Sequence, residues 1–111
     1  MRNSLQQIIR TNQPVNVAAC GYQKLTVTGA SAQALTVPTG TRYAFLAVES
    51  VTTTGTIMRY LNLGATTLPT TTDGLPLEHG TKFDLSTSDD INNFRVIATS
   101  LTHTLHVEYY K

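Results

Sequence analysis

The chain of 111 residues carries a net charge of +1, with only 14% charged and 41% hydrophobic residues. That is one domain with a modest core; it is too apolar for a disordered segment and lacks the basic field that nucleic acid or an acidic membrane attracts. No apolar run reaches the length of a membrane-spanning helix, and the single cysteine, Cys20, excludes an intramolecular disulfide and fits a reducing cytoplasm.

The N-terminal stretch "MRNSLQQIIRTNQ" has basic residues but no continuous apolar region and no small-residue cleavage site, which argues against a signal peptide. Within it Leu5, Ile8 and Ile9 fall at i, i+3 and i+4, with Ser4 placed to cap a helix of about two turns that stops before Pro14. So short a helix is marginal alone. Residues 1–14 therefore read either as a core-packed terminal turn or as an arm outside a β-domain spanning 15–111. As an arm, it docks Leu5, Ile8 and Ile9 on a neighbouring subunit, and Arg2 and Arg10 pair with acidic groups there.

From Val15 the pattern changes to strands. "VNVAA" is short. In "YQKLTVT", Gln23, Leu25 and Val27 share one face, and Tyr22, Lys24 and Thr26 the other. "ALTV" follows the turn "GASAQ" and ends at Pro38. "RYAFLAVES" is the most apolar strand and the candidate for a covered, central one. "TIMRYLNL", "TKFDLS", "FRVIATS" and "TLHVEYY" follow, the last with Leu105, Val107 and Tyr109 opposite His106, Glu108 and Tyr110. About eight short strands at intervals of roughly 8 to 12 residues, divided by Gly, Pro, Asn, Asp and Thr turns, predict an all-β sandwich or barrel. Phe45, Val48, Phe83, Leu85, Val96, Ile97 and Val107 are expected to supply most of the core.

The polar stretches read as structure before chemistry. "LPTTTDGLPLEHGTKF" (68–83) has Asp73-Gly74 and His79-Gly80 as turn dipeptides, and Pro69 and Pro76 confine it to an edge strand or loop. "TSDDINN" is expected to be a polar corner. His103 and His106 are three apart in a strand and so face opposite ways, with no second ligand pair at metal spacing. Asp84, Asp89 and Asp90 lack the regular acidic ladder and mid-loop glycine of an EF-hand loop. Cys20 sits in apolar "AACGY" and reads as buried and inert. There is no G-x-S-x-G elbow, and nothing in the spacing of Glu49, Glu78 and Glu108 pairs them as acid and base. The tyrosines, Tyr22, Tyr43, Tyr60, Tyr109 and Tyr110, serve strand packing or a sugar- or protein-binding platform. No catalytic residue, metal ligand or cofactor is expected.

A larger pattern runs from Leu35 to Tyr110. A V-P-x-G corner opens "LTVPTGTRYAFLAVES", and an alternating strand carries the Arg-Tyr of "MRYLNLG". A Pro/Thr loop leads to G-x-P-L-x-x-G, an F-R-x-I strand follows, and the last strand ends in paired tyrosines. With the length and low charge, this is similar to the head decoration proteins (cement or staple proteins) of short-tailed bacteriophages. The resemblance implies a jelly-roll-like β-sandwich on the outer face of the virion's capsid. It would be made in the host cytoplasm, bound to the major capsid protein, and without catalytic residues. A low-charge surface fits partial coverage by such a partner. A homodimer on a local two-fold axis is the expected oligomer, with a trimer as the alternative. Similar segments in tail or fibre proteins imply a second possibility, a module that binds a receptor or glycan.

Overall fold

Residues 18–51 and 54–111 are described by the computed structural model. Eight strands form: β1 (Ala19–Thr28), β2 (Gln33–Ala34), β3 (Tyr43–Glu49), β4 (Thr56–Leu61), β5 (Leu75–Glu78), β6 (Lys82–Leu85), β7 (Arg95–Ala98) and β8 (Thr102–Tyr110). One helix, α1 (Ser88–Asn93), lies between β6 and β7. The strands make two antiparallel sheets, in the orders β1-β8-β3-β6 and β2-β7-β4-β5. That interleaving, with the chain crossing repeatedly between sheets, is the strand order of a jelly roll. The expected all-β, jelly-roll-like sandwich is the fold.

Side-chain alternation decides what lies between the sheets. In β8, Leu105, Val107 and Tyr109 are buried, and His106 and Glu108 face out. The neighbouring β3 contributes Ala44, Leu46 and Val48, and β7 adds Val96 and Ala98. Register follows the same parity: Leu46 opposes Val107, and Val48 opposes Leu105. A one-residue slip would turn each of these apolar sets to solvent. β1 is an edge strand, and side chains cover part of its open edge: Gln33 bonds the Thr26 carbonyl at 2.8 Å and the Thr28 amide at 3.0 Å.

The expected core needs correction at two residues. Val48, Leu85, Val96, Ile97 and Val107 are buried, but Phe45 and Phe83 are only partly so. Phe45 shares the parity of Ala47 and Glu49, so it lies on the outer face of its sheet. Phe83 packs at the margin of the core, stacked on Tyr60 at 5.2 Å between ring centroids and tilted against Phe94 at 6.1 Å. Phe94 itself is fully buried and anchors this aromatic group.

Two local expectations also change, and a third resolves to one of its two readings. "TSDDINN" is not a corner but contains α1. Thr87 Oγ1 accepts the Asp90 amide at 3.1 Å, Asp89 and Asp90 sit in the positive first turn, and fully buried Ile91 pins the helix. The run around Leu35 is strand only over Gln33–Ala34. Of the edge strand or loop expected around Pro76, "LPLE" is the edge strand: β5 pairs with β4, and Pro76 opposite Arg59 needs no further donor. The "VNVAA" expectation lies mostly outside the described residues.

Candidate functional site at the end of strand β3

The stretch 68–83 resolves into corners around β5. Thr70 Oγ1 accepts the amides of Thr72 and Asp73, at 3.3 and 2.9 Å, and the Thr70 amide bonds the Asp73 carbonyl at 2.9 Å. This closes a compact hydroxyl-capped turn. Pro69 is buried, and Arg59 Nη1 donates to the Gly74 carbonyl at 3.0 Å, fastening the loop to β4. The second corner, His79-Gly80, is clipped to the end of β3: the Gly80 amide donates to the Val48 carbonyl at 3.0 Å, and the Val48 amide to the Thr81 carbonyl at 2.9 Å.

That clip brings together residues that sequence spacing does not connect. All three histidines of the chain meet at Glu49 and Ser50. His79 Nδ1 accepts the Ser50 backbone amide at 3.0 Å. Ser50 donates its hydroxyl proton to His103 Nδ1 at 2.6 Å, and His103 Nε2–H donates to the Ser100 carbonyl at 2.7 Å. His106 Nε2–H donates to Glu49 Oε1 at 2.6 Å, and Tyr22 Oη–H donates to His106 Nδ1 at 2.7 Å. In their neutral forms all three rings therefore carry the proton on Nε2 and accept on Nδ1.

His103 and His106 do face opposite ways, as a spacing of three in a strand requires. His103 points inward and is 3% exposed, while His106 lies on the outer face. Both reach the end of β3 because Glu49 is paired with Thr104, which lies between them in β8. The outer chain Tyr22–His106–Glu49 crosses β1, β8 and β3 in one line. Its two rings lie end to end and nearly parallel, with Tyr22 and His106 centroids 6.0 Å apart at 19°. The Glu49 carboxyl is held below its ordinary value of 4.5, first by the His106 hydrogen bond and then by the charge of that ring. Burial opposes the lowering, and Lys24 and His79 add to it with smaller effects than burial.

Beside this chain lies an open pocket of about 330 Å³ lined by Lys24, Glu49, Ser50, Val51, Thr102, His103 and Thr104. Its size is at the lower end for small-ligand sites. Only its residue types were visible beforehand; a convergence of β1, β8 and the end of β3 leaves no periodic signal.

Other candidate residues fall apart in space or stay modest. Among the described residues no three His, Cys, Asp or Glu side chains are grouped to hold a metal ion. Asp84 is in β6, while Asp89 and Asp90 serve the first turn of α1. Cys20 is half-buried rather than fully buried, with Sγ 3.7 Å from Thr41 Oγ1. No helix among the described residues is long and apolar enough to cross a membrane. The candidate partner-binding residues Arg2, Leu5, Ile8, Ile9 and Arg10 lie outside the described residues.

Compared with known proteins, the chain matches no family model, no curated protein and no solved structure.

Proposed function

We propose that this chain is a structural protein of a bacteriophage virion, a head decoration protein that binds the outer surface of the major capsid protein lattice and stabilises it. The observation that carries this reading joins sequence to fold. The motifs similar to those of phage cement and staple proteins, from Leu35 to Tyr110, make up β3 to β8 of a jelly roll. The low surface charge of the chain supports a partner-covered face.

The mechanism is linkage. A protein that binds the assembled lattice and not its free subunits stabilises the lattice in proportion to RT ln(1 + [L]/Kd), repeated at every site. A homodimer seated on a local two-fold axis holds two capsid subunits at once, and avidity strengthens a modest contact. Catalysis has no part in this reading, and no cofactor is required.

The test is sedimentation of the purified chain with undecorated heads, together with its copy number per particle. Copies in the hundreds, and heads that survive heating better when decorated, are the expected result. The second reading, a tail or fibre module that binds a receptor or glycan, draws support from the polar pocket beside Glu49. About a dozen copies per particle and no binding to heads would establish it instead.

A further inference from the structure

From the chemistry of the outer face of the first sheet, we propose that the pocket at the end of β3 and the adjoining Tyr22–His106 pair form a binding site for an uncharged oligosaccharide. The pocket wall offers the hydroxyls of Thr102 and Thr104, the carboxylate of Glu49, the ammonium of Lys24 and the apolar side chain of Val51. Hydroxyls both donate and accept, a carboxylate only accepts and an ammonium only donates. A ligand that meets all of them must itself carry many groups able to do both, which is the chemistry of a polyol.

Charge narrows the class further. Glu49 repels an anion and Lys24 repels a cation, and the two stand on the same pocket wall. Among the described residues Lys24 makes no ion pair, although its charge is felt at Glu49. Its ammonium is thus free to donate to a ligand oxygen. Glu49 Oε1 is engaged by His106, which leaves Oε2 to accept from a sugar hydroxyl.

Pre-organisation is the third element. Tyr22 is 63% exposed, yet its hydroxyl is fixed by His106, and its ring lies end to end with the imidazole and nearly parallel to it, at 19°. Glu49, 63% exposed at its side chain, is fixed by the same histidine. Exposed hydrogen-bonded pairs add little to stability, but fixed side chains lower the ordering cost of binding. An aromatic ring with one apolar body and a polar tip suits the C–H face of a sugar. From β1 to β3 the line crosses two strand spacings, about 10 Å, and runs diagonally, since Tyr22 opposes Glu108 and Glu49 opposes Thr104; that length fits a chain of sugar rings rather than one.

This site is carried by the geometry of β1, β3 and β8 and stands whether the chain sits on a head or a tail. The experiment is a glycan array probed with the full-length chain, carrying neutral, sialylated and sulfated oligosaccharides, followed by NMR titration with the best neutral binder. Neutral glycans are expected to bind, shifting the amide signals of Lys24, Glu49, Ser50 and Thr104. Glu49→Gln and Tyr22→Ala are each expected to weaken binding by about tenfold or more, with circular dichroism unchanged because both side chains are exposed. Lys24→Ala, at an exposed position, provides a third variant expected to weaken binding. The proposal is overturned by binding confined to charged glycans, by no binding at millimolar sugar, or by affinity indifferent to all three substitutions. Because free protein is used, failure here leaves the head-binding reading to its own test.

Discussion

His79 and His103 hold the same residue, Ser50: one ring nitrogen accepts its backbone amide at 3.0 Å and the other its hydroxyl at 2.6 Å. The two contacts are unequal because His103 is buried and His79 is exposed. Ser50→Ala leaves His103 Nδ1 without its hydroxyl donor inside the protein and is expected to cost about 1–3 kcal/mol. His79→Ala, at a wet surface, is expected to cost less than about 1 kcal/mol. Urea denaturation midpoints at constant slope measure both. Equal costs would mean that the buried hydroxyl contact adds nothing of its own.

Glu49 gives a prediction in acid. Its folded-state pKa is lowered, so its contribution to stability is fully present above the ordinary value of 4.5 and is lost as pH falls through the lowered value. His106 is the main cause, by hydrogen bond and then by charge. In His106→Asn the Glu49 side-chain carboxyl carbon, followed by NMR, is expected to titrate closer to 4.5. A titration unmoved by the substitution would assign the lowering to Lys24 and His79 instead.

Tyr109 gives the corresponding prediction in base. Burial pushes its phenol from 10.0 up to about 12, and its hydroxyl donates to Gln23 Oε1 at 2.5 Å. The folded protein keeps this proton where the unfolded chain loses it, so the stabilisation is complete below pH 10 and declines as pH rises toward 12. Two units correspond to about 3 kcal/mol. Tyr60, also raised by burial, acts in the same direction. Tyr109→Phe is expected to flatten the alkaline limb of the melting-temperature profile; an unchanged limb would place the loss elsewhere.

Gly74 tests whether the 68–74 loop is built as a fixed corner. Its φ is +131°, and a Cβ there would stand 3.1 Å from Arg59 Cβ, 3.2 Å from Pro69 Cβ and 3.3 Å from the Tyr60 carbonyl. Gly55 also has positive φ, at +77°, but with nothing within 4 Å. Gly55→Ala thus carries only the backbone penalty of about 1 kcal/mol, and Gly74→Ala is expected to cost clearly more. Thermal melts that rank the two variants the other way would mean the loop yields freely.

Where a strand buries one face, its pattern was legible. β8 reads correctly from Leu105, Val107 and Tyr109, and β1 from Leu25 and Val27, because period two is enforced by the core. β5 was obscured by Pro76, which an edge tolerates, and α1 by its single buried apolar residue, Ile91. The cap signal for α1 was present in Thr87 and Asp90, three residues apart. Phe45 misled because an apolar residue in a central strand reads as core on either face, and parity is fixed only once Ala44 and Leu46 are known to point inward. The histidine cluster was not legible at all. His79 joins it through the β5–β6 corner, and which corner folds over which strand end is a matter of topology, not of spacing.

The last prediction concerns residues 1–12 and separates folding from attachment. Ala18 and Lys111 exchange both backbone hydrogen bonds, at 2.9 and 3.0 Å, so the β-domain is closed at its first described residue. Deleting residues 1–12 removes none of the described strand pairings, and the truncated chain is expected to retain its β-type circular dichroism. Leu5, Ile8 and Ile9 form one apolar stripe at helical spacing. Buried on a capsid subunit or on a second copy, each would contribute about 1.5 to 3 kcal/mol before ordering costs are subtracted. Doubled by a dimer, that is enough to separate firm retention from none. Arg2 and Arg10 add a smaller contribution, weakened by salt. The truncated chain is therefore expected to co-sediment poorly with undecorated heads, and Leu5→Asp with Ile8→Asp to reproduce the defect in the full chain. Heads that hold the truncated and full-length chains equally would relocate the contact to the sheet faces and the threonine-rich loops, with the jelly roll itself as the binding body.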